Sequence, residues 1–123
     1  TPSIPHLFGL QYILKKIKNE GLENRWNRHI DMSQITRDWA INNGQSLYPE
    51  KGCESFTLTC IKNDQKWDIS HLNEKLLSKG FRMDRGYGPL RYKAFRIAHM
   101  GNIFNDDLKE YLNTIDELLK EIK

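Results

Sequence analysis

Apolar residues recur at helical spacing in four stretches of the chain, and the last stretch gives the strongest signal. One face of the predicted helix after Asn105 carries Leu108, Leu112, Ile115, Leu119 and Ile122. The other helices are predicted over residues 4–20, 22–43 and 69–79. Asp68 and Asn105 are placed to cap the third and fourth helices, since both precede an apolar-periodic run and carry a short acceptor side chain.

The first predicted helix has more apolar surface than a surface helix of a small domain needs. Leu7, Leu10 and Leu14 fall on one face, but Phe8 and Tyr12 lie elsewhere around the cylinder. We therefore expect another domain to cover this helix.

Short strands are predicted between the helices. They fall at residues 55–62, at residues 81–85 and around Arg96, with the loop "GYGPL" before the last of them. The order is helix, helix, strand, helix, strand, strand, helix. This order predicts an α+β fold, in which a small, mainly antiparallel sheet carries helices packed on one face.

The strand around Arg96 has an arginine at the centre of an otherwise apolar run. Period two places Phe95 and Ile97 on one face, and Arg96 on the other with Ala94 and Ala98. The small neighbours leave room for a guanidinium to bind a carboxylate or phosphate through two parallel hydrogen bonds. An edge-strand arginine whose stem covers apolar surface and whose head reaches water fits the same pattern, so both interpretations stay open here.

The composition is that of one globular domain covering residues 1–123. The net charge of +3 comes from cations scattered among acids, which does not indicate binding to nucleic acid or to a membrane. There is no signal peptide and no apolar run of membrane-spanning length, so a cytoplasmic protein is expected.

Cys53 and Cys60 lack metal-ligand or redox spacing. Because Cys60 shares the parity of Phe56 and Leu58, it is predicted to be a buried free thiol.

Two segments of the chain resemble a known enzyme family. The opening "TPSIPHLFGLQYILKKIKNEGLENRWNRH" and the later "GYGPLRYKAFRIAHMGN" resemble the C-terminal small domain of class V aminotransferases. These are pyridoxal 5'-phosphate (PLP) enzymes of fold type I, and the resemblance points to the serine-pyruvate and alanine-glyoxylate aminotransferases among them. It extends over essentially the whole chain, and the two motifs are specific in combination.

The resemblance implies roles for individual residues. In such enzymes the arginine of the "FRI-HMG" strand binds the α-carboxylate of the substrate, so Arg96 is expected to do the same. Gly86, Tyr87 and Gly88 match the glycine loop beside the substrate pocket, where absent side chains permit close backbone approach, although an ordinary turn would look the same. Thr1 matches the threonine of the family's Thr-Pro motif, which looks like the residue that reaches the cofactor phosphate of the neighbouring subunit.

The resemblance also implies what this segment lacks. The chemistry of the family needs a Schiff-base lysine, an aspartate on the pyridine nitrogen and a group stacked on the cofactor ring, all in a large domain upstream of the Thr-Pro motif. No lysine here matches the Schiff-base position, so PLP is expected to be bound mainly by that domain in a homodimer, and this chain alone to be inactive. The start at Thr1, without an initiator methionine, fits a piece of a longer protein, and a processed protein would begin in the same way. Asn102 departs from the acidic residue that relatives often carry.

The function that the resemblance implies is amino-group transfer. The donor would be an amino acid such as serine or alanine, the acceptor a 2-oxo acid such as glyoxylate or pyruvate, and Arg96 would select carboxylate substrates. Lyases of the same PLP fold are one alternative, which depends on groups outside this segment. A stand-alone interaction or ligand-binding module without catalysis is another, because a fold does not determine a function.

Overall fold

The computed structural model describes residues 2–122, which form α-helices and one small sheet. The helices are α1 (Ile4–Glu20), α2 (Leu22–Asn42), α3 (Ile69–Ser78) and α4 (Asn105–Ile122), and the strands are β1 (Leu58–Lys62) and β2 (Ala94–Ala98). A 3-10 turn at Gly88–Leu90 precedes β2. The two strands pair antiparallel, so the predicted α+β fold class is confirmed.

The helix bounds follow the sequence predictions closely, but one of the two predicted caps is wrong. Asp68 caps α3 as predicted, because its Oδ1 accepts a hydrogen bond from the His71 N–H at 3.0 Å. Asn105 does not cap α4, since it is already the first helical residue. Instead the Asp107 carboxylate reaches back and accepts a hydrogen bond from the Phe104 N–H at 2.8 Å.

The strands are shorter than the sequence pattern predicts. β1 begins at Leu58 rather than at residue 55, and the strand predicted over residues 81–85 is reduced to a single antiparallel bridge between Asp84 and Arg96. The chain turns away directly after this bridge because the Gly86 N–H donates a hydrogen bond back to Asp84 Oδ1 at 2.9 Å. One bridge is nevertheless enough to bring Asp84 beside Arg96.

One face of the sheet is buried against the helices. Thr59 pairs with Ile97 and Ile61 pairs with Phe95, and all four residues are buried. Helix α2 packs on β1 and on α4, and α4 also packs on α3. The alternation predicted for β2 is therefore confirmed, since Arg96 lies on the opposite face.

The parity predicted for β1 is wrong. Cys60 lies on the face of Arg96, its register partner, and is only half-buried, whereas Thr59 points into the core. The inward hydroxyl is tolerated because Thr59 Oγ1 is hydrogen-bonded to His99 Nε2 at 2.9 Å. Cys60 is a free thiol, and partial burial raises its pKa.

Three aromatic rings connect the helices to the sheet. Trp39 of α2 meets Trp67 edge-to-face with ring centroids 6.1 Å apart, and Trp67 stacks on Phe95 of β2 at 5.7 Å. The indole N–H of Trp39 donates to Asp116 Oδ1 of α4 at 2.9 Å. These contacts fix β2, and with it Arg96, relative to two helices.

His99 is buried in the core directly after β2, with no exposed side-chain surface. Burial lowers the pKa of His99 to about 4. The nearby His29 and Arg37 contribute to this lowering, because positive charge on them disfavours a protonated imidazole at His99. Burial also lowers the pKa of His29. Both imidazoles are therefore neutral in the folded protein at neutral pH.

We expect the chain to lose stability as the pH falls from about 6.5 to about 4. In this interval the unfolded chain binds a proton at His99 and the folded chain does not, so the free energy of unfolding should drop by up to about 3 kcal/mol. Thermal unfolding as a function of pH measures this. The pH dependence should weaken in the variant His99→Gln and persist in His71→Gln, which changes an exposed histidine; equal slopes in all three proteins would contradict the assignment.

Helix α1 lies largely outside the core. It has no buried residue, and half or more of each of Ile4, Phe8, Leu10, Tyr12 and Leu14 is exposed. Its most extensive contacts within the described residues are with α2. No helix in the part of the chain that the structure describes is long and apolar enough to cross a membrane.

Candidate active site

An open cleft of about 840 Å³ lies beside the exposed face of the sheet. Its walls come from the segment 80–88, from β2 and from the start of α4. The charged and polar side chains that border it are Arg82, Asp84, Arg85, Tyr87, Arg91, Arg96, Asp107 and Tyr111. Arginines outnumber carboxylates at this border, so the cleft is suited to an anion.

Arg96 stands in this cleft but is not as free as the sequence pattern predicts. Its Nε donates to Asp84 Oδ1 at 2.9 Å and its Nη2 donates to Asp84 Oδ2 at 2.7 Å, which is a two-point ion pair within the chain. About a third of each of the two side chains remains exposed. Nη1 donates no hydrogen bond to any residue that the structure describes, and Arg96 is one of the residues that border the cleft.

The Arg96–Asp84 pair favours the ionised form of both groups. Hydrogen bonding to Arg96 lowers the pKa of Asp84, with a further contribution from the Gly86 N–H, and the same ion pair raises the pKa of Arg96. At neutral pH the carboxylate is therefore charged and balances the guanidinium. A ligand in the cleft meets an arginine that is already held in place.

Tyr87 covers one flank of Arg96. The centre of its ring lies 4.9 Å from Arg96 Cζ, which is within the range of a cation–π contact. The ring itself is largely exposed. Tyr87 was expected beside the substrate pocket, and the structure brings it to the predicted carboxylate-binding arginine.

The backbone conformation of the glycine loop explains why residue 86 is a glycine. Gly86 has a φ of +74°, and a Cβ there would lie 2.6 Å from the Leu90 carbonyl oxygen and 2.8 Å from that of Ala94. No other residue fits this position without moving backbone. The close backbone approach seen at Gly86 is between two parts of the same chain, and a role of Gly86 beside a substrate stays a prediction. Gly88, with a φ of +52°, has open space around the position of a Cβ.

Arg28 is a structural residue near the cleft that the sequence reasoning missed. From α2 it donates to the carbonyl oxygens of Ile103 and Gly101, and its Nε donates to Glu20 Oε1 at 2.7 Å. Its guanidinium also lies 4.6 Å from the ring centre of Phe104. Arg28 thus fixes the segment between β2 and α4, of which Ile103 borders the cleft.

Tyr111 supports the opposite wall. Its hydroxyl donates to the Arg82 carbonyl oxygen at 3.2 Å, and its ring packs on Phe81 with centroids 5.4 Å apart. Burial raises the pKa of this phenol, so it stays protonated and keeps donating. Nothing in the linear sequence separates Tyr111 from other residues of α4, because its role depends on a loop distant in sequence.

The described residues that border the cleft suit a small carboxylate, but they do not include the residue type that attaches PLP. Among the described residues that line it there is no lysine to form a Schiff base. Thr1, the residue expected to reach the cofactor phosphate, lies outside the described residues. No group of three or more His, Cys, Asp or Glu side chains within residues 2–122 is arranged to hold a metal ion.

Several known proteins that are similar to this chain are named as aminotransferases. The chain is 29% identical over 123 residues to an uncharacterized aminotransferase of Methanocaldococcus jannaschii, covering 99% of this chain and 32% of that protein. It is 29% identical over 127 residues to the serine–glyoxylate aminotransferase of Arabidopsis thaliana, covering 99% and 31%. The crystal structure of pyridoxamine-pyruvate aminotransferase from Mesorhizobium loti superposes with a TM-score of 0.86 at 25% identity, covering 98% and 32%.

These comparisons confirm the resemblance to class V aminotransferases and the fold that it implied. The chain spans about a third of the length of the curated relatives it matches. No family model matches the chain.

Proposed function

We propose that residues 1–123 are the C-terminal small domain of a PLP-dependent aminotransferase, which contributes the arginine that binds the substrate carboxylate. The donor is an amino acid of the serine or alanine type and the acceptor a 2-oxo acid of the glyoxylate or pyruvate type. The names of two similar proteins, serine–glyoxylate aminotransferase and pyridoxamine-pyruvate aminotransferase, include glyoxylate or pyruvate. The observation that carries the proposal is the unused Nη1 edge of Arg96 at the open cleft.

Arg96 acts by orienting the substrate. A carboxylate that accepts hydrogen bonds from Nη1 and Nη2 is held at two points, so the rest of the amino acid can rotate little about the contact. Fixed orientation removes much of the entropic cost of reaching the reactive geometry. Because the three arginines Arg82, Arg85 and Arg91 also border the cleft, its field attracts anionic substrates before they reach Arg96.

PLP, bound by the large domain, supplies the electron sink that makes the Cα–H bond of an amino acid acidic. The described residues contribute no atom to its covalent attachment in this proposal. Their part is to select an acid, orient it and limit the access of water. Thr1 stays a proposed contact to the cofactor phosphate of the other subunit of a homodimer.

The exposed apolar side of α1 supports a covering large domain. Side chains such as Phe8 and Leu10 are more than half exposed, which is costly to leave in water over a whole helix. A pocket lined by Leu7, Leu14 and their neighbours also lies on this side. We place the large domain of the same protein there, in a cytoplasmic enzyme.

Amino-transfer assays on the complete PLP-loaded protein test the proposal. We expect glycine to form from glyoxylate, or alanine from pyruvate, in amounts that match the oxo acid released from the donor, and no transfer by the 123-residue chain alone. The donor without an acceptor should give at most one turnover. Continued turnover without an acceptor would indicate a lyase, and no reaction with any pair of substrates would indicate a binding module; either result contradicts the proposal.

A further inference from the structure

We propose that Asp84 is a positioning residue for Arg96: it holds the Nε and Nη2 atoms of the guanidinium so that the Nη1–Nη2 edge is presented to the substrate carboxylate. This inference rests on the proposed function and adds to it a residue that no sequence motif singles out. An aspartate beside a carboxylate-binding arginine can either orient the arginine or compete with the substrate for it. We infer that Asp84 orients Arg96, so that removing Asp84 should lower catalytic efficiency.

The hydrogen-bond geometry favours orientation over competition. A guanidinium has five N–H donors, and Asp84 uses two of them, one on Nε and one on Nη2. Three donors are left, and two of them, one on Nη1 and the second on Nη2, form the end of the guanidinium. A substrate carboxylate can bind this end in two parallel hydrogen bonds without displacing Asp84.

Asp84 is itself held in place at three points. Its Oδ1 accepts from the Gly86 N–H at 2.9 Å in addition to Arg96. Its backbone carbonyl accepts from the Arg96 N–H at 3.4 Å through the bridge to β2. The preceding residue, Met83, is buried, and its N–H donates to Asn73 Oδ1 at 2.9 Å. A carboxylate anchored in this way can fix a long side chain.

Fixing Arg96 in advance has a clear energetic purpose. A free arginine side chain has many rotamers, and the substrate would otherwise have to offset part of the entropy lost when one rotamer is fixed on binding. Asp84 and the ring of Tyr87 restrict the guanidinium before the substrate arrives. The opposing effect is that Asp84 neutralises the charge of Arg96. Affinity should therefore depend on hydrogen-bond geometry, with the surrounding arginines supplying the positive field.

The variants Asp84→Ala and Asp84→Asn test the inference in the complete PLP-loaded enzyme. We expect Asp84→Ala to lower kcat/KM for amino-acid substrates about 10- to 100-fold, mainly through kcat, because a loosely held arginine misorients the substrate. Asp84→Asn keeps one acceptor for Nε and should lose less. Asp106→Ala removes an equal charge from an exposed site outside the cleft and should behave like the unchanged protein.

A second measurement on the 123-residue chain reports on Arg96 without any activity. In NMR spectra of nitrogen-15-labelled chain, the Arg96 Nε–H signal should be shifted and protected from exchange with water, and Asp84→Ala should abolish that protection. A loss of kcat together with this loss of protection supports the positioning role. Unchanged kinetics, a lower KM with unchanged kcat, or a loss of kcat while Arg96 stays protected would each overturn it.

The two readouts separate this inference from the proposed function. If the complete enzyme transfers amino groups and depends on Arg96 but not on Asp84, the positioning role fails and the function stands. If no amino transfer occurs at all, the function fails. In that case the NMR signal still decides whether Asp84 orders Arg96, and protection that survives in Asp84→Ala overturns the positioning role.

Discussion

Replacing Arg96 by alanine is expected to lower kcat/KM for amino-acid substrates by about 10²- to 10⁴-fold in the complete enzyme. Two hydrogen bonds from a charged donor to a carboxylate contribute about 3–6 kcal/mol together, which sets this range. The absorbance of bound PLP should not change, because the cofactor is held by another domain. Steady-state kinetics with serine and alanine, alongside the absorption spectrum, provide the measurement.

Two further variants make the Arg96 result specific. Arg96→Lys keeps the charge but not the planar fork, so it should recover only a small part of the lost efficiency. Lys93→Ala removes an exposed cation next to β2 that does not border the cleft, and it should leave the kinetics unchanged. Unchanged efficiency in Arg96→Ala, or equal losses in Arg96→Ala and Lys93→Ala, would remove Arg96 from its role.

Replacing Phe95 by alanine is expected to destabilise the chain by about 3–5 kcal/mol. Phe95 has no exposed surface and stacks on Trp67, which in turn meets Trp39, so its removal leaves a cavity between sheet and helices. The midpoint of thermal unfolding should fall by roughly 10–20 °C. Circular dichroism during heating of the 123-residue chain measures this directly.

The matched control for Phe95 is Phe8→Ala on α1. The Phe8 ring is 67% exposed, so its removal deletes little buried contact and should change the free energy of unfolding by less than about 0.5 kcal/mol. A loss of several kcal/mol in both variants would mean that α1 contributes to the core. Little loss in either would contradict the packing of β2 described here.

The elements with long or strict periodicity could be predicted from the sequence. α4 repeats its apolar residues over its whole length, and β2 alternates so regularly that the outward position of Arg96 follows from period two. β1 could not be oriented, because Thr59 is the inward residue and Cys60 the outward one. A buried threonine becomes acceptable only through a hydrogen bond to His99, which lies 40 positions further along the chain.

The candidate site could be predicted in part. Arg96 was found from its small neighbours and from the family motif, whereas Asp84 was missed although a strand was predicted around it. A cross-strand pair of opposite charges was a usable signal, but the pairing register was not known from the sequence. Tyr111 and Arg28 act through backbone carbonyl groups, which one-dimensional patterns do not reveal.

A crystal structure of the complete enzyme with PLP and a non-reacting amino acid, such as 2-methylalanine, tests the central claim most directly. We expect both carboxylate oxygens of the ligand to accept hydrogen bonds from Nη1 and Nη2 of Arg96, while Asp84 keeps its contacts with Nε and Nη2. A ligand carboxylate bound elsewhere, with Arg96 in contact only with Asp84, would contradict the claim.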